Sequence, residues 1–474
     1  MCYIGPNTGL IVHLKQIKML QKIGLSIVLT ASVVSAAEAQ TKLVEKVTKK
    51  GDELVIPYEK YKLANGLTLI VHEDHSDPVV HVDVTYHVGS AREEVGKSGF
   101  AHFFEHLMFE GTENIERGQY MNMVQAAGGS LNANTSFDRT YYYELLPSNQ
   151  LALGLWMEAE RMVGAKIDEV GVETQRKVVQ EEKRMRIDNQ PYGTILENTF
   201  GLAYTQHPYK ITPIGTFEDL NNAKIEEFRD FYKTFYVPNN ATLSIAGDIK
   251  IEKTKKLIEQ YFAKIPKGTK EVPRPKVVEP AQTEERRKVV YDNIQLPAVI
   301  QAYHIPAQGT EDHYALSMLT TLLSGGQSAR MPKAIVDKQQ KAVAALSIPF
   351  PTEDPGLFLT YAIANMGVDV KDLEAAVDTE IELVKKELIS EREFQKLRNQ
   401  MESQFVQQNS TVAGRAENLA NYHVYYGDAN LINNEIDRYM KVTKEDIQRV
   451  ANKYLTKNNR VVLHYLPKSA QPSN

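Results

Sequence analysis

The chain has 474 residues, 42% hydrophobic and 24% charged, so it can form a substantial core and is long enough for two domains. Its formal net charge is −5 and it carries no basic stripe, so nucleic acid is not expected as a partner. The single cysteine, Cys2, lies near the N-terminus, which excludes disulfides and thiolate chemistry from the chain beyond the segment described next.

Residues 1–39 are predicted to be a secretory signal peptide. Three lysines precede the apolar run IGLSIVLTASVVSA, and the small-residue sequence AEA at residues 37–39 follows it. The run is short for a membrane span and no later segment is apolar enough to be one, although an N-terminal anchor stays open as the alternative. We therefore expect an exported protein, periplasmic or secreted, without a stable membrane span after cleavage.

Beyond this segment the chain mixes strand-like and helix-like stretches. Apolar and polar residues alternate, as they do in strands, in LTLIVHED, VVHVDVTYHV and ATLSIAGDI. Apolar residues recur at helical spacing in NQLALGLWMEAERMV and DLEAAVDTEIELVKKELI. Neighbouring strands joined by short turns and followed by groups of helices indicate an α+β fold with a largely antiparallel sheet.

Two pairs of segments repeat at one distance along the chain. Pro78 in DPVVHVDVTYHVGS matches Pro297 in LPAVIQAYHIPAQ. Asn239 in FYVPNNATLSIAGDI matches Asn458 in YLTKNNRVVLHYLP, and the offset between these asparagines equals the offset between the two prolines. Two independent matches at one offset indicate a duplicated unit.

The predicted domain boundaries follow from the stretch between the two copies. Residues 265–288 are rich in proline and charge and lack periodicity, which is typical of a linker. We therefore predict a signal peptide at residues 1–39, a first domain at 40–264 and a second, homologous domain at 289–474. The predicted fold class is α+β with two duplicated domains, each a mainly antiparallel sheet with helices packed on one face.

The stretch GFAHFFEHLMFEGTEN places two histidines and a glutamate in one apolar helical run. His102 and His106 are four residues apart, so their imidazoles project from one face of a helix, and Glu105 lies beside them. Zinc accepts neutral imidazole nitrogen readily and takes three protein ligands in catalytic sites, which leaves one position for water. The two histidines are therefore one ligand short.

The missing ligand is predicted on the later helix DEVGVETQRKVVQEEKRMRID. Val172, Val179 and Glu182 fall on one stripe of this helix, and Val178 lies one turn before Glu182. A glutamate on a valine stripe faces the interior, where an unpaired charge is costly, and a metal cation would remove that cost. Glu181 points about 100° away on the helix and is expected to be solvated.

The order HxxEH in this chain reverses HExxH and resembles the inverted zinc-peptidase signature. The segment VVQEEKR places Glu182 after His106 at the family's spacing. On these two motifs, residues 53–467 resemble pitrilysin-type metallopeptidases, close to the processing-peptidase-like bacterial subfamily. The resemblance implies a zinc metalloendopeptidase, a hydrolase, with one Zn²⁺ per chain held by His102, His106 and Glu182. It also implies that Glu105 is the general base that activates a zinc-bound water.

The resemblance extends to residues that would contact or support a peptide substrate. GGSLNANTSFDRTYYYELLP resembles the family's edge strand, which holds a peptide backbone by strand addition, with Asn132 and Ala133 facing the scissile region. An ordinary hairpin strand stays open as the alternative. Family members often carry a glutamate behind the metal ligands, seven residues before the metal glutamate, where this chain has Gln175.

The second domain departs from the family in ways that imply a partner. Its copy of the metal helix, ALSMLTTLLSGGQSARM, has no histidine. Active relatives carry an arginine and a tyrosine in this half, where the chain offers Val336 and either Ala344 or Ala345. We therefore expect the zinc-bearing half of a two-chain enzyme with an enclosed chamber, completed by a homologous subunit or in a homodimer. The alternative is a non-catalytic scaffold or peptide-binding subunit that retains zinc.

Overall fold

The computed structural model describes residues 41–51 and 55–472. The predicted signal peptide lies outside the described residues, so its cleavage and the export of the chain stay predictions. Within the described residues, no helix has both the length and the apolar character that a membrane crossing requires.

The first sheet has seven strands in the order β1-β2-β3-β7-β4-β6-β5, so β1 and β5 are its edges. The β3–β7 pair is parallel and the other pairs are antiparallel. Its strands are β1 (Lys42–Val47), β2 (Tyr58–Lys62), β3 (Thr68–Glu73), β4 (Val79–Tyr86), β5 (Ser130–Thr135), β6 (Thr140–Pro147) and β7 (Ala241–Gly247).

The second sheet has five strands in the order β10-β11-β9-β12-β8, and only its β12–β8 pair is parallel. Its strands are β8 (Arg286–Asp292), β9 (Ala298–His304), β10 (Ala342–Phe350), β11 (Leu357–Ala364) and β12 (Arg460–Pro467). Two mainly antiparallel sheets with packed helices confirm the predicted α+β class.

Helices cover one face of each sheet. The helices before β8 are α1 (Phe100–Leu107), α2 (Gln119–Ala126), α3 (Leu151–Gly164), α4 (Glu169–Lys183), α5 (Ile195–Ala203), α6 (Phe217–Asn222), α7 (Ile225–Phe235) and α8 (Ile251–Phe262). Those after it are α9 (Glu311–Ser324), α10 (Val370–Lys386), α11 (Glu391–Gln408), α12 (Val412–Tyr426), α13 (Leu431–Lys441) and α14 (Lys444–Tyr454). The main core lies between the first sheet and α1, α3, α7 and α8, and a second core lies between the second sheet and α9, α10 and α14.

One helix from each half packs on the sheet of the other half, on the face that the other half's own helices leave uncovered. In α5, Phe200 packs in a buried cluster with Ile300 of β9 and Leu463 of β12. In α12, Leu419 packs in a buried cluster with Ile70 of β3. Phe200 and Leu419 are separated by the offset of the sequence repeat. The two copies therefore exchange equivalent helices, and this exchange joins the two halves.

The chain between α8 and β8 forms no regular element over residues 263–285, all of which the structure describes. The last three residues of the predicted linker, 286–288, belong to β8, and the domain boundaries otherwise stay predictions. Glu279 anchors this segment, because its carboxylate accepts hydrogen bonds from the backbone N–H groups of Thr205, Gln206 and His207 at 2.7–2.9 Å. Partial burial opposes ionisation, but these donors and the Thr205 hydroxyl outweigh it and lower the pKa of Glu279 to about 2.

We expect Glu279→Gln to lower the free energy of unfolding by about 1 kcal/mol at neutral pH, a value discounted for solvent exposure. Because the pKa of Glu279 is lowered from 4.5 to about 2, its contribution is present above pH 4.5 and is lost as the pH falls towards 2. Urea unfolding at pH 7 and pH 3 measures this difference, and the exposed linker variant Glu271→Gln is the control. An equal loss at both pH values would contradict the assignment.

Candidate metal centre

Helix α1 begins at Phe100, and the side chain of Glu93, a residue in the preceding loop, caps its first turn. Gly99 adopts φ 89°, a left-handed conformation that favours glycine, and offers no capping side chain. The buried carboxyl group of Glu93 accepts hydrogen bonds from the backbone N–H groups of Gly99 at 2.9 Å and Ala101 at 2.8 Å. Burial raises the pKa of Glu93 to about 8, against these backbone donors. Glu93 thus fixes the first turn of the helix that carries the two histidines.

The apolar side of α1 orients its polar side. Phe100, Phe103 and Phe104 are buried against α7, where their rings contact Phe228 at centroid distances of 4.5–6.0 Å. Residues 102, 105 and 106 lie on the other side of the helix and are partly buried. The helical periodicity of this short segment therefore turns both imidazoles and the Glu105 carboxylate towards one space.

Glu182 of α4 reaches the same space. Its Oε2 atom lies 3.1 Å from Nε2 of His106 and 3.7 Å from Nε2 of His102. The candidate ligand atoms of His102, His106 and Glu182 all lie within 4.8 Å of one another. The other carboxylate oxygen, Oε1, lies 2.6 Å from the guanidinium group of Arg186.

The distances and chemistry of these groups fit a zinc ion. Ligand atoms about 2 Å from a tetrahedral zinc ion lie about 3.3 Å apart, close to the separations from Glu182 to the two imidazoles. Burial lowers the pKa of His102 to about 4, which keeps this imidazole neutral as zinc binding requires. The contact with His106 lowers the pKa of Glu182, which keeps that carboxylate ionised. His102, His106 and Glu182 could therefore hold the metal with one position open.

Glu105 lies beside the candidate ligands, and its carboxylate accepts a hydrogen bond from a residue of strand β5. The hydroxyl group of Thr135 donates a hydrogen bond to Oε2 of Glu105 at 2.6 Å. Burial raises the pKa of Glu105, and the hydrogen bond from Thr135 partly offsets this effect. A raised pKa makes this carboxylate a stronger base, which is the property that a general base beside a metal site requires.

The stripe of α4 is partly as expected. Val172 and Val179 are buried, and Glu181 is exposed and pairs with Arg184 at 3.2 Å. Val178, one turn before Glu182, is 42% exposed. Glu182 is itself only partly buried, so it lies at the border of the stripe. The chain then leaves the α-helix in a π-helical turn at Arg184–Asp188.

The predicted substrate residues lie on the edge strand β5. Asn132 is exposed, and Ala133 is buried with its backbone N–H donating to Oδ1 of Asn132 at 2.9 Å. In the first sheet β5 pairs with β6 on one side, so its other side is available to a further strand. The roles of Asn132 and Ala133 stay predictions.

Gln175 does not hydrogen-bond to the candidate ligands. Its amide donates to Oε1 of Glu110 at 2.5 Å, and Glu110 also pairs with Arg117 at 2.6 Å. Gln175 therefore ties α4, which carries Glu182, to the segment that follows α1. It supports the relative position of the two ligand-bearing segments, and its predicted place behind the ligands stays a prediction.

Sequence reasoning missed three residues that the structure brings to the site. Arg186 follows Glu182 by four residues, a helical ion-pair spacing that could have identified it. Thr135 and Glu93 act across 30 and 6 residues, through a strand and a loop whose packing no local pattern reveals. The positions expected to lack the arginine and tyrosine, Val336 and Ala344 or Ala345, lie in the turn Pro332–Lys338 and on the edge strand β10.

Comparisons with known proteins identify the family and agree with the fold. The family description Insulinase (Peptidase family M16) matches residues 68–216, and Peptidase M16 inactive domain matches residues 222–401. The zinc protease PqqE of Helicobacter pylori is 32% identical over 444 residues, which cover 93% of this chain and 97% of that protein.

Two solved structures extend the comparison. A protease from Helicobacter pylori has a TM-score of 0.83 at 32% identity, and the match covers 86% of this chain and 99% of that protease. The periplasmic protease PqqL from Escherichia coli has a TM-score of 0.73 at 18% identity, and the match covers 89% of this chain but 48% of PqqL. The fold and the relatives' names define a class of zinc proteases. The chain belongs to peptidase family M16, the insulinase family, which confirms the resemblance to pitrilysin-type enzymes.

Proposed function

We propose that this chain is a zinc-dependent endopeptidase that cleaves peptides or unfolded segments. The observation that carries the proposal is the group of two imidazole nitrogens and one carboxylate oxygen within 4.8 Å of one another. Three protein ligands with an open position are typical of catalytic zinc, whereas structural zinc is usually enclosed by four. The neighbouring carboxylate of Glu105 supports a catalytic rather than a structural role.

His102, His106 and Glu182 would hold the zinc ion, which would supply the Lewis acidity that polarises a peptide carbonyl and lowers the pKa of water. Glu105 is then the general base, which takes a proton from the attacking water and passes it to the leaving amine nitrogen. The free side of β5, near Asn132, holds the peptide main chain as an added strand. Recognition through the main chain gives affinity with modest sequence preference.

We further propose that the chain is the zinc-bearing subunit of a two-chain enzyme with an enclosed chamber. Support comes from the absence of an arginine and a tyrosine at Val336 and Ala344 or Ala345. The match to about half of the PqqL chain also leaves room in that protein for a second unit of this size. The partner is a homologous subunit that carries the pair, or a second copy. The mass of the purified native assembly, and the identity of any protein that copurifies with it, distinguish a homologous subunit from a second copy.

A second candidate is a non-catalytic scaffold or peptide-binding subunit that retains zinc. It is favoured by the match of residues 222–401 to a domain described as inactive. This candidate predicts zinc binding and peptide binding without cleavage, in the presence or absence of a partner.

We also propose that the chain acts in the periplasm or is secreted. The predicted signal peptide and the name of the periplasmic relative PqqL support this location. N-terminal sequencing of the native protein and cell fractionation test it.

The proposed activity is tested on the native assembly with an unstructured fluorogenic peptide. We expect cleavage to stop when a zinc chelator removes the metal and to return when zinc is added back. Persistent cleavage in metal-free protein would contradict the peptidase assignment. Zinc binding without cleavage by the complete assembly would favour the scaffold or peptide-binding subunit.

A further inference from the structure

Thr135 joins the candidate base to the candidate substrate strand. It is the last residue of β5, and its hydroxyl group donates to Oε2 of Glu105 on α1 at 2.6 Å. Within the described residues this is the one side-chain hydrogen bond that Glu105 makes, so its other oxygen, Oε1, has no hydrogen-bond partner there. The Thr135 hydroxyl therefore selects which carboxylate oxygen stays available.

The strand presents this hydroxyl for geometric reasons. Side chains alternate along β5, so Leu131, Ala133 and Thr135 share the less exposed face, whereas Ser130, Asn132 and Asn134 are exposed. Thr135 pairs with Thr140 of β6 in the antiparallel register, which fixes its backbone. A threonine in a strand also has few χ1 rotamers, so its hydroxyl group is held in place at little entropic cost.

We propose that Thr135 is a positioning residue, whose hydroxyl group fixes the Glu105 carboxylate so that Oε1 faces the attacking water. This inference rests on the proposed function, in which Glu105 is the base. Without the hydrogen bond, the carboxylate rotates about its terminal bond, and the oxygen that accepts the proton loses its fixed direction. A base must lie within hydrogen-bond reach of the proton that it takes, so this rotation slows the reaction.

The position of Thr135 has a second consequence. A peptide that adds to β5 takes its register from the same strand that holds Glu105 through Thr135. The positions of the scissile bond and of the base are therefore both fixed relative to one strand, β5, rather than relative to two elements that move independently. Substitution of Thr135 should consequently change the rate of the chemical step more than it changes peptide binding.

The test compares Thr135→Val, which removes the hydroxyl group and keeps the branched shape, with Thr135→Ser, which keeps the hydroxyl group. In the native assembly, we expect Thr135→Val to lower kcat by about 10- to 100-fold, the effect of losing a hydrogen bond to a charged group. We expect KM to stay within about twofold, zinc content to stay at one per chain, and Thr135→Ser to retain kcat within about threefold. Thr135→Ala provides a second variant without the hydroxyl group if the valine variant does not fold.

Thr85→Val is the matched control, because Thr85 lies on β4 of the same sheet and its buried hydroxyl group has no hydrogen-bond partner within the described residues. The proposal is overturned if the variants without the hydroxyl group keep their kcat, if serine and valine lose it equally, or if the loss lies in KM. Glu105→Gln is measured in parallel. If it keeps cleaving, the proposed function fails, whereas an inactive Glu105→Gln beside an active Thr135→Val overturns the role of Thr135 alone.

Discussion

Glu105→Gln should abolish peptide cleavage while the protein keeps its zinc. The amide has nearly the shape of the carboxylate and can still accept a hydrogen bond from Thr135, which lies 2.6 Å from Oε2 in the native protein. It cannot take a proton from water, and loss of a general base lowers kcat by about 10²- to 10⁴-fold. Because Glu105 is not among the three candidate ligands, zinc content should stay at one per chain.

Metal analysis and peptide cleavage by the same preparation measure both parts of this prediction. Glu94→Gln is a suitable control, because Glu94 precedes α1, is exposed and pairs only with the neighbouring Lys97 among the described residues. It should change neither zinc content nor cleavage. Cleavage at the native rate by Glu105→Gln would show that another group is the base.

Glu182→Gln should remove zinc and cleavage together. The carboxylate supplies the negative charge among the three candidate ligands, and Oε2 lies 3.1 Å from the imidazole of His106. Replacement of a metal-binding carboxylate by an amide should weaken zinc binding by more than about 100-fold, beyond the effect of residues that only support ligands. Zinc should then raise the Tm of the native protein but not that of the variant, because a ligand stabilises only the folded state that binds it.

Glu181→Gln provides the control for this second variant. Glu181 precedes Glu182 by one residue, is exposed and pairs with Arg184. It should keep one zinc per chain and the native dependence of Tm on zinc. If Glu182→Gln retains zinc at native affinity, the third ligand lies elsewhere.

The proximity of His102, His106 and Glu182 is the feature of the structure that follows most directly from the sequence. The spacing of His102 and His106 follows from helix geometry, and the periodicity of α4 is sufficient to single out Glu182. Both arguments depend on local periodicity, which is the strongest structural information in a single sequence. Periodicity identifies a stripe but not the border where burial ends, and Val178, one turn before Glu182, is exposed.

Contacts between distant segments were beyond the reach of sequence patterns. Phe200 and Leu419 are apolar helix residues, but nothing near them in the sequence tells which sheet each would cover. The internal repeat predicted two equivalent halves without predicting that they exchange helices. Thr135 is similar, because its contact with Glu105 depends on how an edge strand and a helix 30 residues apart come together.

The proposed function depends on one catalytic zinc ion held by His102, His106 and Glu182. Anomalous diffraction at the zinc absorption edge, from crystals of the native protein, tests it most directly. We expect one zinc ion per chain, bonded to Nε2 of His102, Nε2 of His106 and a carboxylate oxygen of Glu182, with no fourth protein ligand. Zinc bound at other residues, a fourth protein ligand, or no zinc in active crystals would contradict it.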